Sequence, residues 1–276
     1  MALRARTVVA FDQGAVSGAV LGRGAASPRV RALRRVPLPA GAIRVGPFDD
    51  NVADPDTVRE ALQRLARELS LNGSGICLVL PDGVGLLSLL DVPSGVAPAD
   101  FARHRLRNTL PYPADEALVD VLRLGDRRVV AAAVRRQVIQ GYERAAADAG
   151  LGQERLDLAP LCALAALVRE PAPTGTVDLV LGDAAVCLAV PADGTLRAFR
   201  SRRRDPSSDE GQRLWEEAMR TASLAGVEAC GLRVVGSGAL AAVAALRAAG
   251  ASADTGWKGA LDGADGAELS WLAAAV

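Results

Sequence analysis

Thr7-Val8-Val9-Ala10-Phe11-Asp12-Gln13-Gly14 opens on an apolar run and closes on a polar, glycine-bearing turn. Such a run reads as a buried strand and its turn. Ser17 to Leu21 reads as a second strand, turned at Gly22 to Gly24, and Val30 to Val36 as a third. After a loop with Pro37, Pro39, Gly41, Gly46 and Pro47, the residues Val58, Ala61, Leu62, Leu65, Ala66 and Leu69 recur at helical spacing, with Asp56 placed to cap them. Their spacing lays one apolar stripe against a sheet. Ile76 to Leu80 is a further buried strand, broken at Pro81-Asp82-Gly83.

The same order returns later. Val177 to Leu181, Ala185 to Val190 and Leu196 to Arg200 read as strands, with a hairpin turn at Asp193-Gly194. A helix from Gln212 to Ala225, a strand from Leu232 to Val235 and the turn Gly236-Ser237-Gly238 follow. Helices from Leu240 to Ala248 and near Leu269 to Ala274 close the chain. Two meander-plus-helix halves predict an internally duplicated α/β protein. The division falls at 1–150 and 151–276. Each half then has roughly 130 residues, enough for its own core.

Between the halves' shared elements, residues 84–134 form an insertion. Leu86 to Val92 reads as a strand and Ala99 to Asn108 as a basic helix stopped by Leu110-Pro111-Tyr112-Pro113. Leu118 to Leu124 and Arg128 to Val134 make a hairpin about Gly125-Asp126. A helix from Arg136 to Ala149 ends at Gly150, and an apolar helix spans Leu158 to Val168.

Composition narrows the function. With 32 basic and 32 acidic residues the chain has no net charge, which argues against a general nucleic-acid binder. Lys258 is the only lysine, so no early lysine exists for phosphate chemistry. Cys77, Cys162, Cys187 and Cys230 are scattered in apolar surroundings, without metal or redox spacing, and read as buried free thiols of a reducing compartment. The first residues lead into a strand and not a signal core, and no apolar run approaches the ~20 residues of a membrane span. The expected location is cytoplasmic.

Several segments are more specific. Ala42-Ile43-Arg44-Val45-Gly46, Leu78-Val79-Leu80-Pro81-Asp82, Leu110-Pro111-Tyr112-Pro113-Ala114-Asp115-Glu116, Val134 to Ile139 with Tyr142-Glu143, and Ala149-Gly150-Leu151 leading to Leu156-Asp157-Leu158-Ala159-Pro160-Leu161 keep one order and spacing. Over about residues 5 to 170 they resemble the actin-like PilM family of type IV pilus and type II secretion assembly, in a degenerate and shortened form. The resemblance implies a duplicated actin-like (ribonuclease H-like) fold with an inserted subdomain in the first half. It also implies that the second-half helical subdomain is missing, because little more than one helix fits between Arg202 and Leu232.

In that family three glycine-bearing turns hold a nucleotide. Here they correspond to Asp12 and Gly14, to Gly182 and Asp183, and to Gly236 and Gly238. The expected lysine is replaced by Gly18, and the expected second aspartate aligns with Val180. The resemblance therefore implies a pseudo-ATPase with no catalytic residues, no metal and no cofactor; ATP and Mg²⁺ enter only if the alternative, an active actin-like ATPase or small-molecule kinase, holds. Asp12 by itself is also an ordinary turn cap.

By the same resemblance the chain is a scaffold at the inner face of the inner membrane. It would hold the N-terminal cytoplasmic tail of a single-span, PilN-like partner. Leu86, Leu89, Phe101 and Leu106 are the expected lining of that groove, with core of the inserted unit as their rival reading. A third reading is the cytoplasmic part of a type II secretion component, which usually continues into a membrane helix that this chain lacks. His104, the only histidine, lies among arginines as a surface residue does. Arg200 to Arg204 read either as a solvated hairpin end or as a contact for an acidic partner or lipid. Trp215 and Trp271 read as core or interface.

Overall fold

The computed structural model describes residues 7–22, 29–71, 75–125, 127–170, 172–192, 195–205, 207, 209–256 and 271–272. The turn residues expected at 23–24, 126 and 193–194, and most of the helix expected near 269–274, lie outside them.

The first half opens with the meander β1 (Thr7–Phe11), β2 (Ala15–Gly22) and β3 (Arg29–Pro37), followed by α1 (Pro55–Glu68) and β4 (Ile76–Leu80). The insertion then supplies β5 (Gly85–Asp91), α2 (Pro98–Leu106), β6 (Ala117–Leu124) and β7 (Arg128–Arg135). α3 (Arg136–Asp148) and β8 (Gln153–Leu158) return the chain to the first sheet, whose order is β3-β2-β1-β4-β8. α4 (Ala159–Arg169) crosses to the second half. There β9 (Thr176–Leu181), β10 (Ala185–Ala192), β11 (Thr195–Arg203), α5 (Glu210–Leu224), β12 (Gly231–Gly236), α6 (Ala239–Ala248) and β13 (Ala253–Thr255) build a second sheet, β11-β10-β9-β12-β13.

The two sheets have the same topology. β1 pairs antiparallel with β2 and parallel with β4, and β9 pairs antiparallel with β10 and parallel with β12. The duplicated α/β architecture is therefore present, strand for strand. The insertion interrupts the first copy between β4 and α3 as a separate antiparallel sheet, β5-β7-β6, covered by α2. Among the described residues, α5 is the only helix between β11 and β12.

Strand alternation sorts the cores. In β1, Val9 and Phe11 face α1 and α3, whereas Val8 and Ala10 face the opposite side. That opposite side meets Cys162, Ala163 and Leu167 of α4, and beyond them Val180, Cys187 and Val235 of the second sheet. The outer face of the second sheet packs on α5 and α6. The order through the molecule is helices, sheet, α4, sheet, helices. Leu62 and Leu65 of the α1 stripe are fully buried, each contributing roughly 1.5–3 kcal/mol relative to exposure.

The structure corrects three expectations here. β8 was not foreseen, and it belongs to the first sheet, so the division between halves lies after Leu158 and not at 150. Its sequence, Gln153-Glu154-Arg155-Leu156-Asp157-Leu158, is polar because an edge strand is half solvated. The short β13 was missed for want of length. The cap of α1 is Asp54, not Asp56. The Thr57 amide donates to Asp54 Oδ1 at 3.1 Å and the Thr57 hydroxyl to Oδ2 at 2.7 Å.

These two bonds hold the Asp54 carboxyl below its ordinary range. A depressed carboxyl stabilises the fold above its unfolded pKa, and the contribution is lost as pH falls through the folded value. Asp54→Ala is therefore expected to lower the melting temperature at neutral pH, with the gap to the native chain closing in acid. Paired thermal melts at the two pH values measure it.

Of the cysteines, Cys77, Cys162 and Cys187 are buried, and burial pushes the thiols of Cys77 and Cys187 up to about 12. Cys230 is exposed, contrary to expectation. No described helix is long and apolar enough to cross a membrane.

Candidate functional site

The two meanders end in equivalent turns, and the backbone bonds show which residues correspond. The Asp12 amide donates to the Ala15 carbonyl at 3.0 Å, and the Gly182 amide to the Ala185 carbonyl at 2.9 Å. The Leu38 amide reaches the Gly14 carbonyl, as the Arg204 amide reaches that of Ala184. Asp12 is thus matched by Gly182, Gln13 by Asp183, and Gly14 by Ala184.

That match relocates the missing carboxylate. Sequence reasoning put the loss at Val180, but Val180 is the counterpart of Ala10, two residues earlier on the strand. The vacancy is at Gly182. A second correction concerns Gly18. A side chain there would run into Leu65 of α1 and Leu69 at its C-terminal cap, with its Cβ 2.7 Å from Leu69 Cδ1. Gly18 therefore faces the α1 core, and the cleft-facing residue of β2 is its neighbour Ser17. A one-residue shift on a strand reverses the face.

Five of the six turn residues singled out in the sequence, Asp12, Gly182, Asp183, Gly236 and Gly238, line one cleft between the two sheets, and the sixth, Gly14, bonds to Asp12 through its amide without lining it. Arg35, Pro81, Asp82 and Trp271 complete its wall. The cleft encloses ≈ 160 Å³, against roughly 300–1,000 Å³ for pockets that take drug-sized ligands.

Its polar groups are engaged internally. In the first turn the Gly14 amide donates to Asp12 Oδ1 at 2.8 Å, and Arg35 Nη2 lies 3.1 Å from Asp12 Oδ2. In the second, the carboxylate comes from the other half. Asp82, just past β4, accepts from the amides of Asp183 at 3.1 Å and Ala184 at 2.9 Å, and from that of Ala185. An added Cβ at Gly182 would sit 1.9 Å from Asp82 Cγ, so the absence of a side chain there makes room for the visiting carboxylate. Asp82 supplies across the cleft the acceptor that Asp12 supplies within its own turn.

The third turn is tied to the second. The Ser237 amide donates to the Leu181 carbonyl at 2.8 Å and the Ser237 hydroxyl to Asp183 Oδ1 at 2.6 Å. Gly236 has φ +103°, and a Cβ would meet the Leu181 carbonyl oxygen at 2.0 Å, so glycine alone fits. Arg204 Nη1 donates to the carbonyls of Gly182 at 2.7 Å and Ser237 at 2.8 Å, while its Nε pairs with Glu210 at 2.6 Å. Burial raises the carboxyls of Asp12 and Asp82 above the ordinary range, opposed by Arg35 at Asp12 and by the three amides at Asp82.

A second concavity of ≈ 500 Å³ lies between the insertion and the first half. Leu118 and Val119 of β6, Val134 of β7, Ile139 of α3, and Leu156 and Leu158 of β8 line it, with Arg103, Arg136, Asp120 and Asp157 among its polar groups. β6 is an edge of the inserted sheet and β8 an edge of the first sheet.

None of the four residues expected to line a groove is in it. Leu86 and Leu106 pack with Ala102, Ala131 and Ala133 between α2 and the inserted sheet. Leu89, three residues on and therefore on the opposite face, packs with the cluster of Leu164, Ala189 and Leu196 at the second half. Phe101 is half-buried on α2. For Leu86 and Leu106 the rival reading, core of the inserted unit, describes the packing, whereas Leu89 packs where the insertion meets the second half.

The remaining candidates resolve simply. His104 is exposed on α2. The basic run faces the acids of α5: Arg200 lies 3.1 Å from Glu217, and Arg204 pairs with Glu210. Trp215 packs on the α5–α6 core, whereas Trp271 lines the cleft.

No protein-family model matches the sequence, and no curated protein matches it. Solved structures do match. A chain of the PilM–PilN type IV pilus biogenesis complex has a TM-score of 0.73 at 17% identity, over 98% of this chain and 96% of that one. The cytoplasmic domain of EpsL, an inner-membrane component of the type II secretion system of Vibrio cholerae, has 0.54 at 13% identity, over 98% and 93%. A Bacteroides thetaiotaomicron protein with an actin-like ATPase fold has 0.52 at 9% identity, over 85% and 83%. At these identities the likeness is one of backbone, and it gives the conclusion that this chain has an actin-like ATPase fold, similar over nearly all of the given residues to the PilM–PilN complex chain and to the EpsL cytoplasmic domain.

Proposed function

We propose that this chain is a scaffold of a type IV pilus or type II secretion assembly, working at the cytoplasmic face of the inner membrane and not as an ATPase. The observation that carries the reading is the end-to-end backbone match to a chain of the PilM–PilN complex, combined with a largely apolar groove between two sheet edges. The partner is the N-terminal cytoplasmic tail of a PilN-like, single-span membrane protein. An extended tail suits such a groove, because edge strands offer backbone partners and the apolar floor takes alternate side chains.

The residues of the cleft fit ATP and Mg²⁺ poorly. Asp12 is paired with Arg35, the second-turn amides hold Asp82, and ≈ 160 Å³ leaves little room for a nucleotide. Gly182 stands where the first turn has Asp12, and Ser17, which carries no charge, faces the cleft from β2. No hydrolytic step is assigned to these residues.

Two measurements test the proposal. Fluorescence anisotropy with a labelled N-terminal peptide of the single-span membrane protein encoded beside this chain is expected to show saturable binding in the micromolar range; no binding sinks the scaffold reading. Millimolar ATP with Mg²⁺ is expected to leave the melting temperature unchanged. A ligand at 100 times its dissociation constant adds about 2.7 kcal/mol, so a Mg²⁺-dependent rise would restore the ATPase or kinase alternative.

A further inference from the structure

We propose that Asp82 is a built-in latch that closes an anion cradle from within: the second turn presents three converging amides, Asp183, Ala184 and Ala185, and accepts a phosphate-type anion only when the Asp82 carboxylate withdraws. The inference rests on the reading of the cleft as unable to work as an ATPase, and deepens it.

Three successive amides aimed at one point form a concavity suited to an oxyanion. A carboxylate and a phosphate offer the same thing to it, namely negatively charged oxygens at hydrogen-bond distance. In this chain the acceptor is covalently supplied by the other half, 101 residues away along the sequence for the Asp183 contact. An intramolecular carboxylate has a high effective concentration, so a free anion at cellular levels competes poorly with it. Gly182 makes the arrangement possible, since any side chain at that position would occupy the space of the carboxylate. Arg204, bonded to the Gly182 and Ser237 carbonyls, fixes the turn from behind, which leaves the cradle formed when Asp82 is removed. The Asp82 contact itself bolts the first half to the second, so the latch also holds the cleft shut.

The test uses Asp82→Ala and inorganic phosphate, followed by ³¹P NMR titration and by hydrogen exchange at the three amides. The native chain is expected to bind no phosphate at millimolar concentration. D82A is expected to bind it saturably in that range, with exchange at Asp183, Ala184 and Ala185 rising in the variant and falling again on titration. ATP is expected to bind D82A no tighter than pyrophosphate, because the cleft lacks room for the nucleoside.

Gly182→Ala supplies the control. In the native background its methyl collides with Asp82 and lowers the melting temperature, whereas in D82A the collision is gone and the methyl fills the cradle. The two substitutions must therefore be strongly non-additive, and the double variant must lose phosphate binding. If D82A does not fold, Asp82→Asn takes its place, since the neutral amide fills the same volume with a single acceptor oxygen.

A folded D82A or D82N that binds no phosphate overturns the latch, as does equal phosphate binding by the native chain. Neither result touches the reading of the chain as a non-ATPase, which fails only if the native chain binds ATP.

Discussion

Arg233→Ala is expected to destabilise the fold by roughly 3–5 kcal/mol, the usual effect of leaving a buried charge without its partner. Asp178 on β9 is fully buried, and Arg233 on β12 meets it in two bonds, Nε to Oδ1 at 2.6 Å and Nη2 to Oδ2 at 2.8 Å. Arg233 Nη2 also donates to the Leu167 carbonyl at 3.2 Å, in the last turn of α4. One side chain thus joins two strands of the second sheet to the helix lying between the sheets.

The pH dependence gives the sign. Burial already raises the Asp178 carboxyl, with Arg233 opposing. Without the guanidinium it rises further. A carboxyl whose folded pKa exceeds its unfolded value binds its proton more tightly when folded, so stability falls as pH rises through that window. The deficit of R233A is therefore complete at neutral pH and shrinks in acid. Urea unfolding at the two pH values measures it, and Arg233→Met with Asp178→Asn should recover much of the loss. A deficit that is small, or independent of pH, would show that Asp178 is neutral in the native chain.

Leu118→Asp is expected to weaken binding of the partner's tail peptide on the order of 100-fold, about 2.7 kcal/mol, without shifting the thermal melt. Leu118 lines the groove and is 38% exposed in the free chain, so an aspartate there stays solvated until the peptide covers it. Covering an unpaired carboxylate costs a few kcal/mol. Leu89→Asp is the contrast. Its side chain packs between the insertion and the second half, so the same substitution should lower the melt whatever it does to binding. Native affinity in well-folded L118D would move the partner to another surface.

How much of this was legible beforehand varies with the kind of signal. The duplication was, because buried strands announce themselves as apolar runs and their turns as Asp or Gly. Thr7 to Phe11 and Val177 to Leu181 each lie within a strand, in the order expected. The α1 stripe was legible through its helical spacing, and its true cap, Asp54, was two residues from the one expected. β8 was not legible, since an edge strand carries polar residues on its open side. Leu86 and Leu89 are expected in one groove, but a strand has two faces and the structure packs the two residues in different clusters.

By itself the sequence determined the elements, their repeated order and the three glycine turns, all of which depend on interactions between residues near in the chain. Only the tertiary structure decided what the turns hold. Asp82 stands in a Leu-Pro-Asp segment that looks like a strand end, and nothing local distinguishes it from a turn residue. Its role arises because β4 and β9 come to the same cleft, where the vacancy at Gly182 admits a carboxylate and three amides need an acceptor. The physical reason is that hydrogen-bond satisfaction of buried groups is settled by whatever packing brings within 3 Å or so, and packing joins residues that the sequence keeps a hundred positions apart.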